Sequence, residues 1–302
     1  MEKFKKLVAI EPVSLYDESF MEIKRKYAEE VISFDDVPKD NEEIIKRIGD
    51  ADAMLVSYTS QIPKEVLENC PNLKYVGMCC SLYSPESASV DIRYSEAHGI
   101  KVTGIRDYGD NGVAEYAVHQ MIDVLHGFGD IKWNENGRAT EITDAKVGIL
   151  GMGTTGKIIA NALNYFGADI SYNSRTHKED MEAKGCKFME LDDLLTKNDF
   201  IFCCLTKNII LLNEREFNLM KGKKLIFNTS IAPAHDIEAL KNWLNESDEH
   251  YFFGDSDAAI GDNDLLKLKN VRTTGRCSGG TTQCTDRLNQ KVLENIENYF
   301  NN

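Results

Sequence analysis

Three glycines, Gly151, Gly153 and Gly156, follow an apolar run in G-x-G-x-x-G spacing. The run, with Val147, Ile149 and Leu150, has the continuous hydrophobicity of a strand buried in a parallel sheet. After the glycines, Ile158, Ile159, Ala162, Leu163 and Phe166 recur at helical spacing, and Gly167 suits the end of that helix. A second strand is predicted over Ile170 to Tyr172. Strand, turn, helix and strand in this order form a phosphate-binding device. The first glycine permits the tight turn, the second lets the backbone approach a pyrophosphate, and the third lets the helix pack close. The helix N-terminus offers unsatisfied N–H groups and the positive end of its dipole. Gly151, Gly153, Thr155 and Gly156 are therefore expected to hold a dinucleotide.

The end of the second strand selects the dinucleotide. An acid there would accept from the ribose 2′-OH of NAD. This chain has Asn173, Ser174, Arg175 and Thr176 instead, and Asp169 lies before the strand. Arg175 suits a 2′-phosphate, with Ser174 and Thr176 adding hydroxyls. A missing acid and a present arginine favour NADP over NAD; the plainer alternative is a solvated arginine in a loop.

These elements sit in a chain of 302 residues, long enough for two ordinary domains, with 42% hydrophobic and 28% charged residues as in water-soluble globular proteins. The N-terminal apolar run is too short for a signal peptide, and no stretch reaches membrane-spanning length. A net charge of -14 disfavours nucleic acid and anionic membranes as partners. An anionic ligand needs a local basic pocket. The 8 cysteines are expected to be reduced thiols of a cytoplasmic protein. No C-x-x-C occurs, and the two C-C pairs space poorly for zinc, so no metal is expected.

Ahead of the glycine turn, strands are predicted at Leu7 to Ile10, Val31 to Ser33, Ala53 to Val56, Leu73 to Met78 and Ile100 to Thr103. Helices are predicted at Ser19 to Glu29, Asn41 to Ile48, Pro63 to Asn69, at the end of Ser87 to His98, and from Val113 to about Leu125. The polar segment Gly127 to Asp144 has little periodicity. Beyond the turn, strands are expected at Phe200 to Cys203, Leu225 to Asn228, Tyr251 to Phe253 and Val271 to Thr273. Helices fall near Leu191 to Leu195, Glu214 to Met220, Asp236 to Leu244 and Thr282 to Phe300. This alternation implies an α/β chain with two doubly wound parallel sheets. Ligands of such sheets bind beyond the carboxyl ends of the strands. The segments there are Met78 to Ser84, Gly104 to Gly112, Cys203 to Asn208, Asn228 to Ala234, Asp255 to Gly261 and Thr274 to Gly280.

Over nearly the whole chain these segments resemble the D-isomer-specific 2-hydroxyacid dehydrogenases. V-D-I-R-Y-S-E-A-H-G-I-K-V-T is similar to the family's I-D-x-x-A-A-x-x-x-G-I-x-V-x, and N-G-V-A-E-Y-A-V to its x-x-V-A-E helix start. C-C-L-T, with the run to L-I-F-N-T-S, resembles L-P-L-T and I-N-T-A, and L-L-K-L-K-N-V-R-T-T resembles P-L-x-x-x-P-N-V-x-x-T-P. The resemblance implies a Rossmann domain at 104-286 and a flavodoxin-like substrate domain made of 1-103 and 287-302. The chain is expected to cross near Thr103 and Asp286. It also implies a nicotinamide cofactor, with Thr206, Asn228, Thr229 and Asp255 on the cofactor side, and usually a homodimer. The stretch from Glu115 to Val147, which normally helps build the dimer arm, is shorter here than in typical members.

The catalytic positions depart from the family. Ile231 follows N-T-S where the family has its carboxylate-holding arginine. Ungapped spacing puts Ile260 at the glutamate, and Arg276 stands where the proton-donating histidine follows T-P. The substrate-carboxylate loop is replaced by the longer C-C-S-L-Y-S-P-E-S-A-S. The expected function is an NADP(H)-dependent oxidoreductase with altered chemistry on a small anionic substrate. Arg276 and Arg106 are candidate anchors, and Tyr108, Tyr83 or Asp107 candidate proton sources. The plainer alternatives are a pairing of Arg276 with Asp255 or Asp257, and tyrosines that only pack. A catalytically silent NADP(H)-binding sensor or regulatory protein is the competing function. A thiol or metal role for Cys79, Cys80, Cys204 and Cys277 is explained more simply by small buried side chains.

Overall fold

The computed structural model describes residues 2–134, 136–206 and 209–301. The chain folds as two compact units. The first runs up to Tyr108 and resumes at Thr282; the second is Gly109–Thr281. The chain thus passes between units at 108/109 and 281/282, a few residues from the crossings expected near Thr103 and Asp286.

The first unit carries a parallel sheet of β1 (Phe4–Ala9), β2 (Ala28–Ser33), β3 (Ala53–Val56), β4 (Tyr75–Ser81) and β5 (Lys101–Ile105). Its spatial order is β2-β1-β3-β4-β5, so the winding reverses between β1 and β3. The central strands are apolar on both faces, as helices covering both faces require. Helices Asp17–Lys26, Asn41–Ile48, Lys64–Glu68 and Ile92–Ala97 supply that cover. The final helix, Thr282–Asn301, buries Leu288, Val292 and Ile296 in one cluster with Leu7, Ala9 and Tyr75.

Some boundaries differ from expectation. The helix predicted through Glu29 stops at Lys26, and β2 begins at Ala28. As an edge strand, β2 turns charged residues to water, so its polarity mimics a helix face. Within Ser87 to His98 the α-helix lies at the end of the span, as expected, at Ile92–Ala97, where Asp91 caps it by accepting Tyr94 N–H. Strand β4 continues through Cys79 and Cys80, small side chains buried within the sheet.

The second unit carries β6 (Lys146–Leu150), β7 (Asp169–Asn173), β8 (Lys187–Phe188), β9 (Phe200–Cys203), β10 (Lys224–Asn228), β11 (His250–Gly254) and β12 (Val271–Thr273). All pair in parallel, in the order β12-β11-β10-β9-β6-β7-β8. The winding reverses between β6 and β9, the crevice that receives ligands in open sheets. Short β8 and the one-turn helices Glu179–Glu182 and Asp257–Ile260 leave too few residues to show a period, and the sequence does not announce them. Helix Asp110–His126 ends at Gly127, whose φ of 66° is left-handed.

One buried base in this unit sets a pH dependence. His235 is enclosed, with Nε2 against Ile260 O at 3.2 Å and Nδ1 without a partner among the described residues. Burial pushes its pKa down to about 4 from 6.5. The unfolded chain therefore takes up this proton more readily, and stability is lost as pH falls from 6.5 towards 4. The loss approaches about 3 kcal/mol. Denaturant midpoints across that range should fall more steeply for the wild type than for His235→Gln. Parallel slopes would refute the assignment.

Candidate functional site

The glycine turn lies at the reversal point of the second sheet. Gly151 has a φ of +96°, and a Cβ there would stand 2.5 Å from Cys204 O at the end of neighbouring β9. A Cβ on Gly156 would collide with Gly151 O, so only glycine lets helix Thr154–Tyr165 start so close to the turn. Gly153 is different: no described atom lies within 4 Å of its Cβ position. It caps the helix N-terminus without a side-chain cap. One glycine thus reaches the next strand, one packs the helix and one opens to a ligand, which is the shape a pyrophosphate needs.

Thr155, grouped with the turn by its place in the sequence, is engaged elsewhere. Its hydroxyl donates to Asp110 Oδ1 at 2.5 Å, tying the first turns of helices Thr154–Tyr165 and Asp110–His126 together. Asp110 thereby joins the candidate site, and sequence spacing misses it because its partner lies 45 residues away.

At the end of β7, Ser174 donates to Thr176 O at 2.6 Å and Lys178 Nζ donates to Thr176 Oγ1 at 2.7 Å. The two hydroxyls assigned to a phosphate therefore shape the turn. Arg175 is exposed, and its guanidinium has no partner among the described residues. Asp169 begins β7 at the opposite end and pairs with Lys146 and Lys187, which hold its carboxyl below the usual range.

After β9, Thr206 is exposed, and 207 and Asn208 lie outside the described residues. After β10, Asn228 is fully buried. Its amide donates to Ala232 O and Ala259 O, and its Oδ1 accepts Ser230 N–H. Thr229 Oγ1 donates to Cys203 O at 2.9 Å. Both residues hold the loop beyond β10 in shape.

Asp255, after β11, is buried and accepts Ser278 N–H at 2.8 Å and the Cys277 thiol at 3.8 Å. Desolvation, then this carboxylate, push the thiol pKa of Cys277 up. The alternative pairing of Arg276 with Asp255 does not form. Arg276 is exposed, and its guanidinium has no partner among the described residues. Beside it, Ser278 Oγ is buried without a hydrogen bond among the described residues. The segment packs on a helix start: Gly112 lies so close to Ser278 O that a Cβ would stand 2.5 Å from it. Ile231 is 55% exposed and Ile260 is fully buried.

In the first unit the strand ends carry their own polar groups. Arg106 donates to Leu82 O at 2.6 Å and Tyr83 O at 2.9 Å, with its guanidinium over the Tyr83 ring. It therefore props the loop after β4, a commitment that residue type alone does not show. Tyr108 is half-buried beside Ser81; burial raises its phenol to about 12, so it stays protonated. Asp107 has a φ of 55°, a left-handed conformation that Asp tolerates better than most residues. Glu11, fully buried beyond β1, accepts Ser57 N–H, Ser60 N–H and the Ser60 hydroxyl. It fills the reversal point between β1 and β3 with an internal carboxylate. Nothing in the sequence marks it, since a lone glutamate near a strand end is usually solvated.

Among the described residues no group of three or more His, Cys, Asp and Glu could hold a metal, and no helix is long and apolar enough to cross a membrane. Two parallel α/β sheets and a glycine turn at a reversal point define an α/β protein of the dinucleotide-binding class. The family model for "D-isomer specific 2-hydroxyacid dehydrogenase, NAD binding domain" matches residues 116–276. The chain belongs to that family of NAD(P)-dependent oxidoreductases, whose members act on small acids. It is 28% identical over 283 residues to a hydroxypyruvate reductase of Blautia hydrogenotrophica, covering 86% of each chain. It is 28% identical over 248 residues to a glyoxylate reductase of Thermococcus onnurineus, covering 76% of this chain and 73% of that one. An acyclic imino acid reductase solved with NADPH and D-Arg superposes with a TM-score of 0.83 at 23% identity, covering 98% and 97%. The apo D-lactate dehydrogenase of Escherichia coli superposes with 0.79 at 21% identity, with the same coverage. Both likenesses speak to the fold.

Proposed function

We propose that the chain is an NADPH-dependent reductase of a small anionic substrate, and that the bond reduced is an imine C=N in preference to the carbonyl of a simple 2-keto acid. The observation that carries this reading is Arg276. A guanidinium without a partner among the described residues stands where the family resemblance puts a proton-donating histidine. Carbonyl reduction builds an alkoxide that needs a proton as hydride arrives, and a positioned acid contributes about 10²–10⁴ in rate. Arginine, which holds its proton throughout the working pH range, serves poorly as that acid but binds a carboxylate bidentately. A protonated imine makes a smaller demand. Hydride forms the new C–H bond, the C=N π pair becomes the nitrogen lone pair, and the amine takes its proton from solvent.

The bound nicotinamide would supply the hydride. Gly151, Gly153 and Gly156 would seat its pyrophosphate, Arg175 its 2′-phosphate, and Asp255 with Ser278 the nicotinamide end. Arg276 holds the substrate carboxylate in this reading, a task Ile231 cannot perform. The imino acid reductase with NADPH and D-Arg supports the reading, since a similar fold accommodates such chemistry in another chain.

Ile231 and Ile260, in place of the family's arginine and glutamate, favour one other reading: a silent NADPH-binding sensor or regulator. A screen of NADPH oxidation separates the readings. It should contain pyruvate, glyoxylate and hydroxypyruvate, and 2-keto acids preincubated with ammonia or an amine. Turnover should appear with the imine mixtures and stay at least about tenfold lower with the free keto acids. Ordinary turnover of free glyoxylate would overturn the imine assignment. Tight NADPH binding with no turnover would establish the sensor.

A further inference from the structure

The turn beyond β7 is built from the inside. Tyr172 is fully buried on β7, and its hydroxyl donates to Glu182 Oε1 at 2.6 Å while accepting Lys178 N–H at 2.7 Å. The same Glu182 oxygen pairs with His177 Nδ1 at 2.8 Å. The His177 ring lies over Phe188 at 4.1 Å between centroids, and Phe188 meets Tyr172 edge-on at 5.6 Å. With the Ser174 and Lys178 bonds to Thr176, every polar side chain from 174 to 178 is tied down except Arg175. The neighbouring acid Asp180 is also engaged, by Lys157 at 2.7 Å. Hydrogen bonds from Tyr172 and His177 keep Glu182 ionised by lowering its carboxyl pKa.

We propose that Glu182 and Tyr172 are positioning residues for the adenosine 2′-phosphate: they fix the 174–178 turn so that Arg175 meets the phosphate preorganised, and they thereby set the preference for NADP over NAD. This deepens the NADPH reading and rests on it. Holding the turn in place before binding removes an ordering cost that would otherwise reduce affinity. The effect is confined to the phosphate, because the turn lies three strands from β10 in the sheet. The arrangement also resolves a conflict. Glu182 is a carboxylate close to an anion site, yet its charge is directed at Tyr172 and His177.

The test is calorimetric titration of the full chain with adenosine 2′,5′-bisphosphate and with adenosine 5′-monophosphate, which differ only in the 2′-phosphate. In Glu182→Ala and in Tyr172→Phe, affinity for the bisphosphate should fall about fivefold to tenfold, with the monophosphate within about twofold. Tyr172→Phe keeps the ring and its packing, so it stays informative if Glu182→Ala unfolds. Equal loss for both ligands would show a merely structural role and overturn the proposal. So would unchanged affinities in both variants, or a gain for the bisphosphate, which would make Glu182 a competing anion. If the wild type and Arg175→Ala bind the two probes alike, the NADPH reading itself fails and takes this proposal with it.

Discussion

Arg276→Ala should lower kcat/KM for the imine substrate by roughly tenfold to over a hundredfold, mostly through KM, and leave the Kd for NADPH within about twofold. The magnitude is that of one charge-assisted bond to a carboxylate, about 1.5–3 kcal/mol. It should stand near the top of that range, because Arg276 has no intramolecular partner among the described residues to give up on binding. Arg276→Lys should recover only part of the loss, since a point charge replaces a planar fork. If Arg276 instead acted as the acid of the reaction, kcat would fall and KM would hardly move. Steady-state kinetics with an imine mixture at saturating NADPH distinguishes the two. An unchanged kcat/KM in Arg276→Ala would remove the residue from the substrate site.

Arg175→Ala should weaken NADPH about tenfold to a hundredfold and leave NADH almost unaffected, so that the wild-type preference largely disappears. The guanidinium is exposed, without a partner among the described residues, and mounted on a turn whose other polar groups are satisfied. The two nearest acids are already engaged, Asp180 by Lys157 and Glu182 by Tyr172 and His177. The contact is solvent-facing, so the preference should shrink as salt rises. Fluorescence titration of both reduced cofactors at low and moderate ionic strength measures it. Tighter binding of NADH by the wild type would reverse the assignment.

Elements with a continuous apolar run or an amphipathic pattern are legible in the residues alone. Strands Ala53–Val56 and Phe200–Cys203 and helix Asn41–Ile48 appear where their patterns place them, because buried parallel strands and capped amphipathic helices write their environment into consecutive residues. The glycine turn is legible for the same reason: its constraint is local, a φ of +96° at Gly151 and a helix start at Gly156 that excludes a Cβ. Arg175 stands out because the end of the second strand is where such folds meet the ribose.

Long-range commitments of polar side chains are decided only in three dimensions. Residue type marks Arg106 and Arg276 equally as anion anchors, yet Arg106 is spent on Leu82 O and Tyr83 O while Arg276 remains open among the described residues. Thr155 has the place of a phosphate-turn residue and is bonded to Asp110. Glu11 and Glu182 carry no signal at all. A carboxylate becomes a structural anchor only when donors converge on it, as Ser57 and Ser60, 46 and 49 residues away, do on Glu11, and as Tyr172 and His177, from the adjoining strand and turn, do on Glu182. Hydrogen bonds are short-ranged and directional, and their donors and acceptors stay far apart along the chain until the sheets bring them within about 3 Å. Backbone periodicity thus determined where the strands and the cofactor turn lie, and tertiary packing determined which of the charged groups beside them stay free to meet a ligand.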